Sequence, residues 1–133
     1  MRYFEIAGVA ARPRLRFPRH DGGTYTVYSG VISLVASRAF RGAIRPDDRQ
    51  AISFFVPDSP AFTTDPAIVG LELSLKTIRT MGNPNLVTFG AHDEQASVDP
   101  DPRGGEHRWL QISFQVPVSS VAAADLNYRL TTT

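Results

Sequence analysis

The amino-acid sequence predicts one all-β domain, an antiparallel β-sandwich or jelly roll of about eight short strands. Three observations predict it. Apolar and polar residues alternate with period two in several segments, the pattern of a strand with one face in a core and the other in water. Ten prolines and ten glycines are spread along the chain and break any long helix. Clusters of turn-forming residues punctuate the alternating runs.

Taken in order, residues 2–9 and 15–17 are the first two candidate strands, separated by Arg12-Pro-Arg14. Asp21-Gly-Gly23 turns the chain into residues 24–28, and residues 31–36 follow as a separate strand. Arg45-Pro-Asp-Asp48 is turn chemistry, after which Ile52, Phe54 and Val56 alternate until Pro57-Asp-Ser-Pro60. Val69, Leu71, Leu73 and Leu75 are apolar at odd positions, with small or polar residues between them, so this set is assigned to the core. Gly82-Asn-Pro84 leads to a short strand at residues 86–89. Gly90-Ala-His-Asp-Glu-Gln95 reads as a polar turn and Asp99-Pro-Asp-Pro-Arg-Gly-Gly105 as a long connection. Leu110, Ile112, Phe114 and Val116 then alternate with Gln111, Ser113 and Gln115, and Leu126, Tyr128 and Leu130 close the series. A single helical turn is expected at residues 121–125, capped by Ser119 or Ser120.

A chain of 133 residues has the size of one domain, here residues 1–133, and can bury roughly two-thirds of its unfolded surface without a staple. Hydrophobic residues at 42% and charged residues at 20% place it among globular rather than disordered chains. The absence of cysteine excludes disulfides, thiolate metal sites and thiol catalysis. No apolar run approaches the roughly 20 residues that span a bilayer. Glu5 interrupts the first apolar stretch, so no signal peptide is expected; an extracellular or virion-associated location would be reached by another route.

The net charge of +1 hides an asymmetry. Residues 1–50 carry nine arginines against four acids, and residues 51–133 carry five basic against nine acidic residues. Near-neutrality without a domain-wide basic face makes nucleic acid a poor expected ligand.

The histidines and acids offer little chemistry. On a strand His92 and Asp93 would point to opposite faces and could not share a metal ion. Asp99, Asp101 and the Gly104-Gly105 pair lack the further acids of a calcium loop. There is no Gly-x-Ser-x-Gly elbow and no phosphate-cradling loop with a lysine. The chain is therefore expected to be non-enzymatic, with no metal and no cofactor.

Two places suggest binding. In the basic stretch within residues 10–20, an extended backbone puts Arg12, Arg14 and Arg16 on one face and Pro13, Leu15 and Phe17 on the other. The prolines confine it to a sheet edge, where the arginines either contact a partner or deter aggregation. The only tryptophan, Trp109, follows Glu106, His107 and Arg108, and its odd position sets it on the face opposite Leu110 and Ile112. Such a group is either a sugar- or partner-binding surface or a Trp packed on a neighbouring loop.

The segment Ile52-Ser-Phe-Phe-Val-Pro-Asp-Ser-Pro-Ala-Phe62 followed by Asp65-Pro-Ala-Ile-Val-Gly-Leu-Glu-Leu-Ser-Leu75 resembles the central part of the H-type lectin domain family. The likeness covers residues 52–90. It implies a compact sandwich that trimerises and binds sugars such as N-acetylgalactosamine. The Leu-Asp that usually follows the Gly-Leu strand is replaced by Lys76-Thr-Ile78, and the family's C-terminal Trp ending is missing, so no sugar-contacting residue is carried over. The expected function is carbohydrate recognition by a homo-oligomer. The alternative is a structural or decoration subunit of a phage or virus particle, with residues 12–19 and the tail Thr131-Thr-Thr133 lying against neighbouring subunits.

Overall fold

The computed structural model describes residues 3–37, 48–57, 59, 62, 65–81, 89–105, 107–118 and 121–133. These residues form eight strands and no helix: β1 (Phe4–Ala11), β2 (Leu15–Pro18), β3 (Thr24–Ala36), β4 (Arg49–Phe55), β5 (Ile68–Thr80), β6 (His92–Pro100), β7 (Arg108–Pro117) and β8 (Val121–Thr132). No helix here is long and apolar enough to cross a membrane.

The strands make two antiparallel sheets. One has the order β1-β3-β8-β5, with β2 also on β3; the other has the order β4-β7-β6. Pairing is nested: β3 joins β8 and β4 joins β7, so the early and late strands run together as a ribbon that rolls between the sheets. That is jelly-roll winding of a sandwich.

The alternation read from the sequence sets the core. Leu110, Ile112, Phe114 and Val116 of β7 face Ile32 and Leu34 of β3 and Leu126, Tyr128 and Leu130 of β8, all buried in one cluster with Ile52, Phe54 and Val56. Phe54 meets Tyr128 edge to face at 5.2 Å.

The structure corrects several expectations. Residues 24–28 and 31–36 belong to one 13-residue strand, β3, because Gly30 is no breaker. It pairs with Tyr128, whose ring lies over it; a Cβ there would sit 2.3 Å from the Ala10 carbonyl oxygen and 2.6 Å from the Tyr128 hydroxyl. The helical turn expected at residues 121–125 is the start of β8, where Ala123 and Ala124 pair with Val35 and Leu34 on one side and Arg79 and Ile78 on the other. Two neighbouring ladders outweigh the helix propensity of alanine. His92 to Gln95 do not form a simple turn: they open β6 through a register shift, with Asp93 in the left-handed region at φ 53°. Asp99 and Pro100 still belong to that strand. Phe89 is not in a strand and packs edge to face on Phe4 at 5.9 Å. The rest of the strand expected at 86–89 lies outside the described residues, as do Arg2, Glu106, Ser119, Ser120, the turn at 82–84 and parts of those at 45–48 and 57–60.

One side chain ties the edges of the two sheets together. Gln50, on β4 and only 9% exposed, accepts hydrogen bonds at Oε1 from the amides of Tyr3 (2.9 Å) and Phe4 (2.8 Å) and donates from Nε2 to the Phe4 carbonyl (2.9 Å). It gives the β1 edge the partners that a neighbouring strand would otherwise supply.

Candidate functional site

β1 and β2 are one edge strand interrupted by a jog. β1 stays paired with β3 to Ala11 opposite Gly30, the Arg12 amide donates to the Ser29 carbonyl at 2.9 Å, and β2 resumes with Leu15 opposite Val27. Residues 12–14 thus oppose only Tyr28 and Ser29, and Pro13 has no amide to give the ladder. The extra residue lifts the edge away from β3. An open cleft of about 560 Å³ results, lined by Ala11, Arg12, Pro13, Arg14, Tyr28, Ser29, Tyr128 and, from the end of β4, Pro57.

The register decides which arginines face inward. Arg16 is opposite Thr26, on the side of the sheet to which Tyr28 points, whereas Leu15 and Phe17 share the outer side with Val27 and Tyr25. The Arg14 guanidinium lies close to the Tyr28 hydroxyl. Burial pushes that phenol above its ordinary value, and the Arg14 contact and the Arg16 charge oppose the rise. Among the described residues Arg12 and Arg16 take part in no ion pair, in contrast to Arg19, Arg103, Arg108 and Arg129, each of which has a carboxylate partner. The cleft is a positively charged recess with two phenol rings in its wall. Neither tyrosine was marked by the sequence, where Tyr28 only ends the strand expected at 24–28 and Tyr128 belongs to the apolar alternation of its strand.

Trp109 lies at the same end of the sandwich, where β7 begins and the Val56 amide donates to the Leu110 carbonyl. It is half-buried and committed to the turn before it. Its Nε1 donates to Asp101 Oδ2 at 3.0 Å, and the Arg103 guanidinium stacks on its ring at 4.9 Å. Asp101, 8% exposed, also accepts the Arg103 amide (2.8 Å) and guanidinium (3.1 Å), and its carbonyl accepts the Gly104 amide (2.9 Å). The Asp-Pro-Arg-Gly run is therefore a β-turn with Asp first, Pro second and Gly fourth. Hydrogen bonds from Arg103, with its charge, and from Trp109 hold the Asp101 carboxyl below its ordinary value.

Arg108 is bound to Asp65 (3.2 Å) and to the Val98 carbonyl, and exposed His107 accepts the Asp101 amide through its carbonyl (3.0 Å). The structure thus brings Arg12 and Arg14 together with Arg16 beside them, and ties Arg108 and Trp109 into local folding. Among the described residues no group of three or more His, Asp or Glu side chains is placed to hold a metal ion.

Comparison of the chain with protein-family models, with curated proteins and with solved structures finds no match.

Proposed function

We propose that this domain is a non-enzymatic binding module of a homo-oligomer, which recognises carbohydrate in the cleft of Arg12, Arg14, Tyr28 and Tyr128. One open recess lined by Arg12, Arg14, Tyr28 and Tyr128 carries the reading. Tyr28 and Tyr128 are only 4% and 2% exposed and floor the recess, while a sugar's hydroxyls or carboxylates suit the planar donor fork of arginine. Sites of this kind combine an apolar wall with a few well-placed polar groups. The likeness of residues 52–90 to H-type lectins points the same way. A glycan array probed with the wild type and with Arg14→Ala tests it: binding of one glycan class by the wild type and at least tenfold weaker binding by the variant supports the reading. Silence of the folded wild type on every glycan overturns it.

A second reading, a structural or decoration subunit of a phage or virus particle, is favoured by Leu15 and Phe17, which are 54% and 48% exposed on the outer face of β2. Apolar side chains held out in this way suit burial against a neighbouring subunit. Mass measurement in solution separates the two: a large regular assembly that ignores glycans supports the particle subunit.

A further inference from the structure

Among the described residues β5 is the outer strand of its sheet, with β8 as its only ladder neighbour. Its odd-numbered leucines point to the core side, with Leu71, Leu73 and Leu75 opposite Leu130, Tyr128 and Leu126, whereas Val69, also expected in the core, falls in the register shift between Ile68 and Gly70 and is 54% exposed. Register shifts keep Ile68, opposite Thr132, and Ile78, opposite Ala124, on that same side. Yet the strand is not buried. Ile68, Leu75 and Ile78 are 37%, 44% and 38% exposed, because the three-stranded sheet opposite is narrower than the sheet that carries β5.

The other free edges are blocked. Among the described residues β1 and β4 are tied together by Gln50, Arg14 and Arg16 lie between Pro13 and Pro18 at β2, and β6 opens with a bulge and ends on Pro100. β5 runs 13 residues without a proline, and between its register shifts at Ile68/Gly70 and Leu75/Thr77 residues 70–75 keep an unbroken ladder with β8.

We infer that β5 pairs with β5 of a second copy of this chain, antiparallel about a two-fold axis at Ser74, joining two sheets into one. The charge pattern selects this partner and this register. About Ser74, Glu72 of one copy meets Lys76 of the other, twice by symmetry, on the outer face. On the inner face Leu73 of each copy meets Leu75 of the other, and the exposed leucines bury one another. The Glu72–Arg129 ion pair (2.9 Å) and the position of Lys76 beside Asp125 set both charges on the outer side. A head-to-side pairing with β2 has no such match, since β2 and its flanks carry arginines and β5 itself has two basic residues against one acid. The inference rests on the homo-oligomer part of the proposed function and is independent of the sugar-binding part.

Sedimentation equilibrium of the wild type, Lys76→Glu, and the double variant Glu72→Lys with Lys76→Glu tests it. The wild type is expected at twice the monomer mass. Lys76→Glu sets Glu72 against a second carboxylate at both pairs and raises the dimer dissociation constant roughly 10- to 30-fold. The charge-swapped double variant restores dimerisation to within about threefold of the wild type. A monomeric wild type, a dimer indifferent to Lys76→Glu, or an odd-numbered assembly would overturn it. The glycan array, read on the same proteins, reports on the cleft separately.

Discussion

Replacing Gln50 by leucine keeps the side-chain volume near that of the original and removes all three hydrogen bonds to β1. The amides of Tyr3 and Phe4 and the carbonyl of Phe4 are then left without partners beside a core in which both rings are buried. A buried backbone group stranded in this way costs about 1–3 kcal/mol. Water relieves part of this, because a shallow cleft of about 390 Å³ lies beside Phe4, Glu5, Ile6 and Gln50. The expected net loss is about 2–4 kcal/mol. Urea unfolding measures it as a lower midpoint at unchanged slope. Hydrogen exchange should show the Tyr3 and Phe4 amides opening faster, while the core amides of β7 keep the order of their protection. A loss under about 0.5 kcal/mol would refute the idea that Gln50 ties the two sheets together.

Gly30→Ala drives a methyl group into the Ala10 carbonyl and the Tyr128 hydroxyl, so a thermal melt should show a loss of about 3 kcal/mol, at the upper end for overpacking. Trp109→Ala is expected to cost about 2–3 kcal/mol in urea unfolding while leaving glycan binding unchanged, since the ring serves the turn at Asp101. Acid should loosen that turn. The folded Asp101 carboxyl titrates below the ordinary 3.8, so its contribution to stability is complete above that value and is lost as pH falls through the folded one. The fluorescence of the single tryptophan follows the loss, and Asp101→Asn should abolish the acid transition.

The sequence made legible the strands whose inner face is covered by the opposite sheet, because each has one buried and one wet face. β4, β7 and β8 alternate cleanly, and their predicted residues are the core. Periodicity tells which way a side chain points, but not whether anything lies opposite it. Leu75 therefore faces the core side and remains 44% exposed. β6 gave no signal, since Asp93-Glu-Gln95 carries no apolar alternation and the strand is held by its ladder to β7. The alanines at the start of β8 suggested a helix because helix propensity is local, whereas the two ladders that override it come from residues some 90 and 45 positions away in the chain. Spacing puts Arg12, Arg14 and Arg16 on one face only in an unbroken strand; the jog at residues 12–14 shifts parity between Ala11, opposite Gly30, and Arg16, opposite Thr26, which spacing alone does not foresee. Nor does it foresee the tyrosines beside them, because Tyr28 and Tyr128 meet only through the pairing of β3 with β8 across Gly30. For Trp109, parity gave the face, and only the folded turn shows that Asp101 and Arg103 occupy it.

The most direct test of the central claim is a ¹⁵N-resolved titration of the folded protein with the glycan that binds best on the array. Binding in the arginine–tyrosine cleft predicts the largest amide shifts at Arg12, Arg14, Tyr28 and Ser29, with saturation lost in Arg14→Ala. Shifts centred on Asp101, Arg103 and Trp109, or none at any concentration, would contradict it.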